Sequence, residues 1–152
     1  MSRPGHQPGE PKVWIDLANS PHPLLFAPIA RRIEELGGTV AVTYRDHAQT
    51  AELARERWPA ATLIGEASPA GRLRKGAAVA GRMAALARWA WRERPQVALS
   101  HNSYAQILAA RALWIPAVTA MDYEHQPANR VAFRGADPVS YTHLTLPTNR
   151  EV

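Results

Sequence analysis

Cysteine is absent from the 152 residues, and with it disulfide staples, thiolate nucleophiles and thiolate metal sites. The redox compartment stays open, because a chain without cysteine is compatible with any. No run reaches the ~18 apolar residues of a membrane span. The first 11 residues are rich in proline, glycine and polar side chains. They lack the apolar centre of a signal peptide and read as a loose leader. A cytoplasmic location is the resulting expectation. Neither a GxGxxG fingerprint nor a phosphate-cradling P-loop follows the first strand-like run, which counts against a nicotinamide cofactor. No HExxH motif fixes a metal and no GxSxG elbow offers a serine nucleophile. Neither metal nor cofactor is expected.

The chain is long enough for one domain that buries roughly two thirds of its unfolded surface. Its net charge of +5 is unevenly placed. Residues 72 to 94 hold seven basic side chains against the single acid Glu93, while the rest of the chain is balanced at 11 basic and 12 acidic. One local stripe, with Arg74, Lys75, Arg82, Arg88 and Arg92, is therefore expected to face an anionic partner or the inner membrane surface, helped by Trp89 and Trp91. A protein built around nucleic acid would carry its charge more widely.

Apolar runs alternate with helical periods. Val13-Trp14-Ile15 is a buried-strand candidate ending at Asp16-Leu17. Pro21 and Pro23 suit a first helical turn, where a missing N–H costs little. Ser20 is the candidate N-cap, and Leu25, Ile29, Ile33 and Leu36 form the expected inward face. Gly37-Gly38 ends that helix. Thr39 to Tyr44 is β-branched and aromatic, a second strand. Gln49 to Arg57 reads as a helix with Leu53 inward, and Thr62-Leu63-Ile64 as a third strand. The basic stretch is a long helix with Val79, Met83, Leu86 and Ala90 on one side and Arg74, Arg88 and Arg92 opposite. Val97-Ala98-Leu99, Tyr104 to Leu113, Pro116 to Met121 and Pro127 to Phe133 continue as strand, helix, strand, helix. This alternation implies an α/β fold, a three-layer Rossmann-like domain with a parallel sheet over residues 12–138.

In such a sheet the carboxyl ends of the strands gather ligands, and four polar clusters follow the apolar runs. The first holds Asp16, Asn19, Ser20 and His22. Asn19 and Ser20 enter a helix whose free N–H groups suit an anion or a sugar oxygen, and the helix dipole there disfavours the charged form of His22. The second, Arg45-Asp46-His47, reads chiefly as structural, with Asp46 a candidate cap. In the third, Ser100-His101-Asn102-Ser103, Ser103 is a cap candidate and His101 points to a ligand. The fourth, Asp122-Tyr123-Glu124-His125, offers two carboxylates and an imidazole for acid and base work, with Asn129 and Arg130 one turn later as donors for a phosphate or hydroxyl. His22 or His125 is the candidate base, and Asp122 or Glu124 the orienting acid.

From Val139 to Val152 the pattern stops, with no helix period and no evident strand partner. This segment resembles a translated sequencing-adapter peptide of the kind found on assembled metagenomic reading frames. It is expected to be foreign to a natural protein that continues beyond residue 138.

The runs KVWIDLANSPHPLLFAPIARRIEELGGTVAVTYRDHAQT, RPQVALSHNSY and IPAVTAMDYEHQPANRVAF resemble the prokaryotic family DUF354, over roughly residues 12–138. That family is similar to the GT-B glycosyltransferases and to the non-hydrolysing UDP-N-acetylglucosamine 2-epimerases. The resemblance implies the N-terminal half of a two-domain GT-B-like fold, with a nucleotide-sugar held mainly by a C-terminal domain. A glycan, lipid-linked or anionic acceptor is the accompanying expectation, with the basic helix presenting the chain to a lipid-linked or anionic one. All four clusters match the family's motifs in order, which gives their place and leaves their tasks open. Three readings are carried forward: a glycosyltransferase-like enzyme, a UDP-sugar 2-epimerase-like enzyme, and a non-catalytic module that binds sugar or polyanion.

Overall fold

The computed structural model describes residues 10–65, 72–121 and 139–141. Ten elements alternate along them: β1 Lys12–Leu17, α1 His22–Glu35, β2 Thr39–Tyr44, α2 Thr50–Arg57, β3 Thr62–Leu63, α3 Arg72–Glu93, β4 Val97–His101, α4 Tyr104–Ala112, β5 Ala117–Met121 and β6 Val139–Tyr141. The strands form one parallel sheet in the order β3-β2-β1-β4-β5-β6. The order reverses between β1 and β4, which is where a doubly wound sheet opens a crevice at its carboxyl edge. The expected three-layer, Rossmann-like α/β fold is the one observed.

The pleat of β1 splits the core in two. Trp14 packs with Leu86 and Ala90 of α3 and with Ala105, Ala109 and Ala110 of α4. Its neighbours Ile15 and Leu17 pack with Phe26 and Ala30 of α1 and with Ala51 and Ala54 of α2. Alternate side chains thus feed opposite layers, as a strand requires, and each large apolar side chain buried contributes about 1.5–3 kcal/mol. Alanines on α4 and α2 let those helices sit close to the sheet.

Helix α1 is turned from the expected face. Its buried residues are His22, Pro23, Phe26 and Ala30, while Ile29 is 38% and Leu36 69% exposed. Two apolar stripes lie side by side on this helix, and the one combining bulky Phe26 with small Ala30 meets the sheet. Pro21, not Ser20, occupies the N-cap, and Gln49, not Asp46, precedes α2. Gly37, at φ +82°, closes α1 as expected. A Cβ on Gly38 would lie 2.8 Å from Ile33 Cγ2, so the second glycine is needed for close packing. On α3, Leu86 and Ala90 are buried as read, whereas Val79 is exposed.

Strand β6 is a departure from the expected end of pattern at residue 139. Thr119, Ala120 and Met121 pair with Val139, Ser140 and Tyr141. Three residues are too few for period-2 alternation to show in sequence. The cluster from Asp122 to His125, with Asn129, Arg130 and the helix expected over 127–133, lies outside the described residues. Among the described residues, no helix is long and apolar enough to cross a membrane.

Candidate functional site

Asp16 sits one residue before the end of β1, at the reversal point, with no solvent exposure. The parallel register sets it level with Thr43 of β2 and Ser100 of β4. Thr43 Oγ1 donates to Asp16 Oδ1 at 2.7 Å and accepts from Trp14 Nε1 at 2.8 Å. Ser103 Oγ donates to Asp16 Oδ2 at 2.5 Å. Arg82, reaching in from α3, completes the shell with Nη2 on Oδ1 at 2.8 Å and Nη1 on Oδ2 at 3.0 Å. Two parallel N–H donors on one carboxylate make the fork-to-fork geometry that only arginine supplies.

Arg82 is therefore no part of a surface stripe. Its side chain is 8% exposed, and its Nε donates to the Ile64 carbonyl at 2.8 Å, tying α3 to the strand end of β3. Gly65 makes room for it: a Cβ there would lie 2.8 Å from Arg82 Cδ, and the residue's φ of +96° suits glycine. Trp89 also turns inward. It packs on Trp14 at 5.4 Å between ring centroids and donates to Thr62 Oγ1 at 3.2 Å. Ser103 stands at the α4 N-cap position without a side-chain cap bond, because its hydroxyl serves Asp16 instead.

Arg45 follows β2 into the same region. Its Nε is enclosed and has no hydrogen-bond partner. Burial, and then the positive charge of Arg82, hold this guanidinium below its ordinary pKa, with Asp16 acting in the opposite direction. Ser100 Oγ and Asn102 Oδ1 are likewise enclosed and unpartnered. Asn102 takes a left-handed φ of +53° as the chain leaves β4, its amide donating to the Ala120 carbonyl at 3.1 Å.

Two buried histidines meet beside this network. The rings of His22, in the first turn of α1, and His101, at the end of β4, lie 5.0 Å apart at 58°. His22 also meets Phe26 edge-on at 6.2 Å. Its Nδ1 accepts the Ala18 amide at 3.1 Å, so a neutral ring carries its proton on Nε2 and donates from there. Burial raises the pKa of the nearby-in-sequence Tyr104 phenol.

The structure thus gathers Asp16, Arg45, His22, Ser100, His101 and Asn102 at neighbouring strand ends. Asn19 and Asp46 are exposed, and Ser20 and His47 are half-buried. Thr43, Arg82 and Ser103 are the partners that sequence reasoning did not assign to the site. Thr43 was recoverable once β1 and β2 were paired in register, since Asp16 and Thr43 occupy matching pleats. Among the described residues no three acidic or histidine side chains gather as a metal-binding group.

Sheet order, layers and carboxyl-end cluster define a Rossmann-like domain of the kind that forms the N-terminal half of GT-B folds. The similarity to solved structures agrees. MurG of Acinetobacter baumannii superposes with a TM-score of 0.72 at 14% identity, over 94% of this chain and 44% of that one. A putative UDP-N-acetylglucosamine 2-epimerase from Listeria monocytogenes gives 0.70 at 14%, over 86% and 39%. The chain belongs to the family described as protein of unknown function (DUF354), whose profile matches residues 11–144. That match and β6 both run into the segment expected to be foreign. The uncharacterized protein MJ0665 of Methanocaldococcus jannaschii is 29% identical over 128 residues, 84% of this chain. The chain spans only 37% of that relative's length.

Proposed function

We propose that this chain is the acceptor-side domain of a nucleotide-sugar-processing enzyme of GT-B type, with glycosyl transfer as its reaction. The observation that carries the reading is the buried Asp16, held by Arg82, Thr43 and Ser103 at the point where the sheet order reverses. Such a crevice is where open α/β sheets bind ligands, and the fixed carboxylate holds the surrounding loops for the His22–His101 pair. The fold likeness to proteins described as UDP-N-acetylglucosamine 2-epimerases, one of them bound to UDP-GlcNAc, supports a nucleotide-sugar as donor. A second domain, beyond these residues, would hold most of that donor.

In this mechanism His22 is a hydrogen-bond donor rather than a base, because its Nδ1 lone pair is committed to Ala18. The base toward the acceptor hydroxyl is then His125, which follows β5, the neighbour of the strand carrying His101. Asp122 or Glu124 orients that group. Arg45, with an unpartnered Nε, receives an anionic group of the acceptor. The test is UDP release from UDP-sugars by a full-length protein carrying this chain as its first domain. Turnover that falls in both His125→Ala and His101→Ala supports the reading. Sugar binding without turnover in the wild type would replace it with the non-catalytic module.

A further inference from the structure

A second concavity lies at the β3 edge of the sheet. Edge strand β3 and the last turns of α3 enclose a groove of 920 Å³, lined by Thr62 to Gly65 on one side and by Ala85, Arg88, Trp89 and Arg92 on the other, with Trp91, Glu93 and Arg94 at its margin. That volume is in the range of small-molecule sites. Residues 85, 88, 89 and 92 share one helix face by their three- and four-residue spacing. The floor is held in place, because the Trp89 indole packs at a tilt of 44° against Trp14 and donates to Thr62 Oγ1.

The charge of this groove is one-sided. Arg88, Arg92 and Arg94 are exposed, and among the described residues none of them has an ion pair. The one acid at the margin, Glu93, is already engaged by Lys12 Nζ at 3.2 Å. Arg88 and Arg92 stand one turn apart, a like-charge spacing that opposes helix formation. Arg94 adopts a left-handed φ of +51°, a position after a helix where glycine is favoured. An ordinary solvated helix face interleaves both signs of charge. This one keeps three guanidiniums around a concave, aromatic-floored space.

We propose that the groove between β3 and α3 binds a phosphate-bearing ligand, with Arg88 and Arg92 gripping adjacent phosphate groups and Arg94 closing the lower end. Guanidinium forks match phosphate oxygens in pairs, and the roughly one-turn spacing of Arg88 and Arg92 suits a diphosphate. The apolar remainder of the ligand rests against Trp89, with Trp91, 66% exposed, at the rim. The proposal uses none of the residues assigned to acceptor chemistry, so either can fail alone.

The test is calorimetric titration of the whole chain with inorganic pyrophosphate, alongside sedimentation with phosphatidylcholine vesicles containing phosphatidic acid. Binding that weakens at least about tenfold in R88Q/R92Q supports the proposal. Loss in the pyrophosphate arm assigns a soluble ligand, and loss in the vesicle arm alone assigns a lipid-borne phosphate. Arg94→Gly is expected to raise the thermal midpoint, by relieving the left-handed backbone, while weakening binding. These opposite signs separate a ligand contact from a structural one. No binding of either probe to the unaltered chain, or equal affinity in R88Q/R92Q, overturns it.

Discussion

The Arg82 guanidinium meets the Asp16 carboxylate fork to fork, at 2.8 and 3.0 Å, across the gap between α3 and β1. Both side chains are buried, at 8% and 0% exposure, so each depends on the other to offset its desolvation. Arg82→Met strands a buried carboxylate and is expected to cost about 3–5 kcal/mol in chemical denaturation. The double variant with Asp16→Asn should cost clearly less than the two single changes added. Strict additivity would mean the pair does not act as a unit.

The His22 ring is expected to show its neutral proton on Nε2, because Nδ1 accepts from Ala18. Nitrogen-15 spectra of the imidazoles report this directly. A signal with the proton on Nδ1 would contradict the assigned hydrogen bond and return His22 to candidacy as the base.

Arg45 holds a half-buried cation beside Arg82, with its Nε unpartnered. Arg45→Met removes that repulsion and is expected to leave stability unchanged or raise it by up to about 1 kcal/mol. On the proposed function, the same change in a full-length protein should raise KM for an anionic acceptor. A large loss of stability would show that Arg45 is structural.

Burial raises the Tyr104 pKa in the folded chain. The unfolded chain then releases this proton first, so the associated stability is complete below about pH 10 and is lost as pH rises through the folded value. Tyr104→Phe should flatten the fall in the thermal midpoint above that pH. An unchanged slope would place its origin elsewhere.

The two stripes of α1 give a further pair of expectations. Phe26→Ala should cost about 3–5 kcal/mol, as for a large side chain removed from a core. Ile29→Ala, at a position 38% exposed, should cost well under half as much. Equal losses would restore the face first read from the sequence.

Strand positions were legible because β-branched runs sit between glycine and proline breaks, and the strand-end placement of Asp16, His22, Arg45 and His101 followed from topology. The face of α1 was not legible. Leu25, Ile29 and Leu36 give as good a helical period as Phe26 and Ala30, and only contact with β1 and β2 chooses between stripes about 100° apart. Arg82 was hidden for a similar reason: seven basic residues in one stretch look alike until a buried carboxylate selects one. Thr43 needed the register of β2 against β1, which no local pattern contains.

The central claim is that the carboxyl ends of β1 and β4 form the chemical wall of a nucleotide-sugar enzyme. Initial rates of UDP release by the full-length protein, with His101→Ala against the wild type, test it most directly. The account predicts a clear fall in kcat, because His101 is half of the buried histidine pair at that wall, with KM for the donor little changed, since the proposed second domain would hold it. Wild-type kcat in His101→Ala would contradict the account.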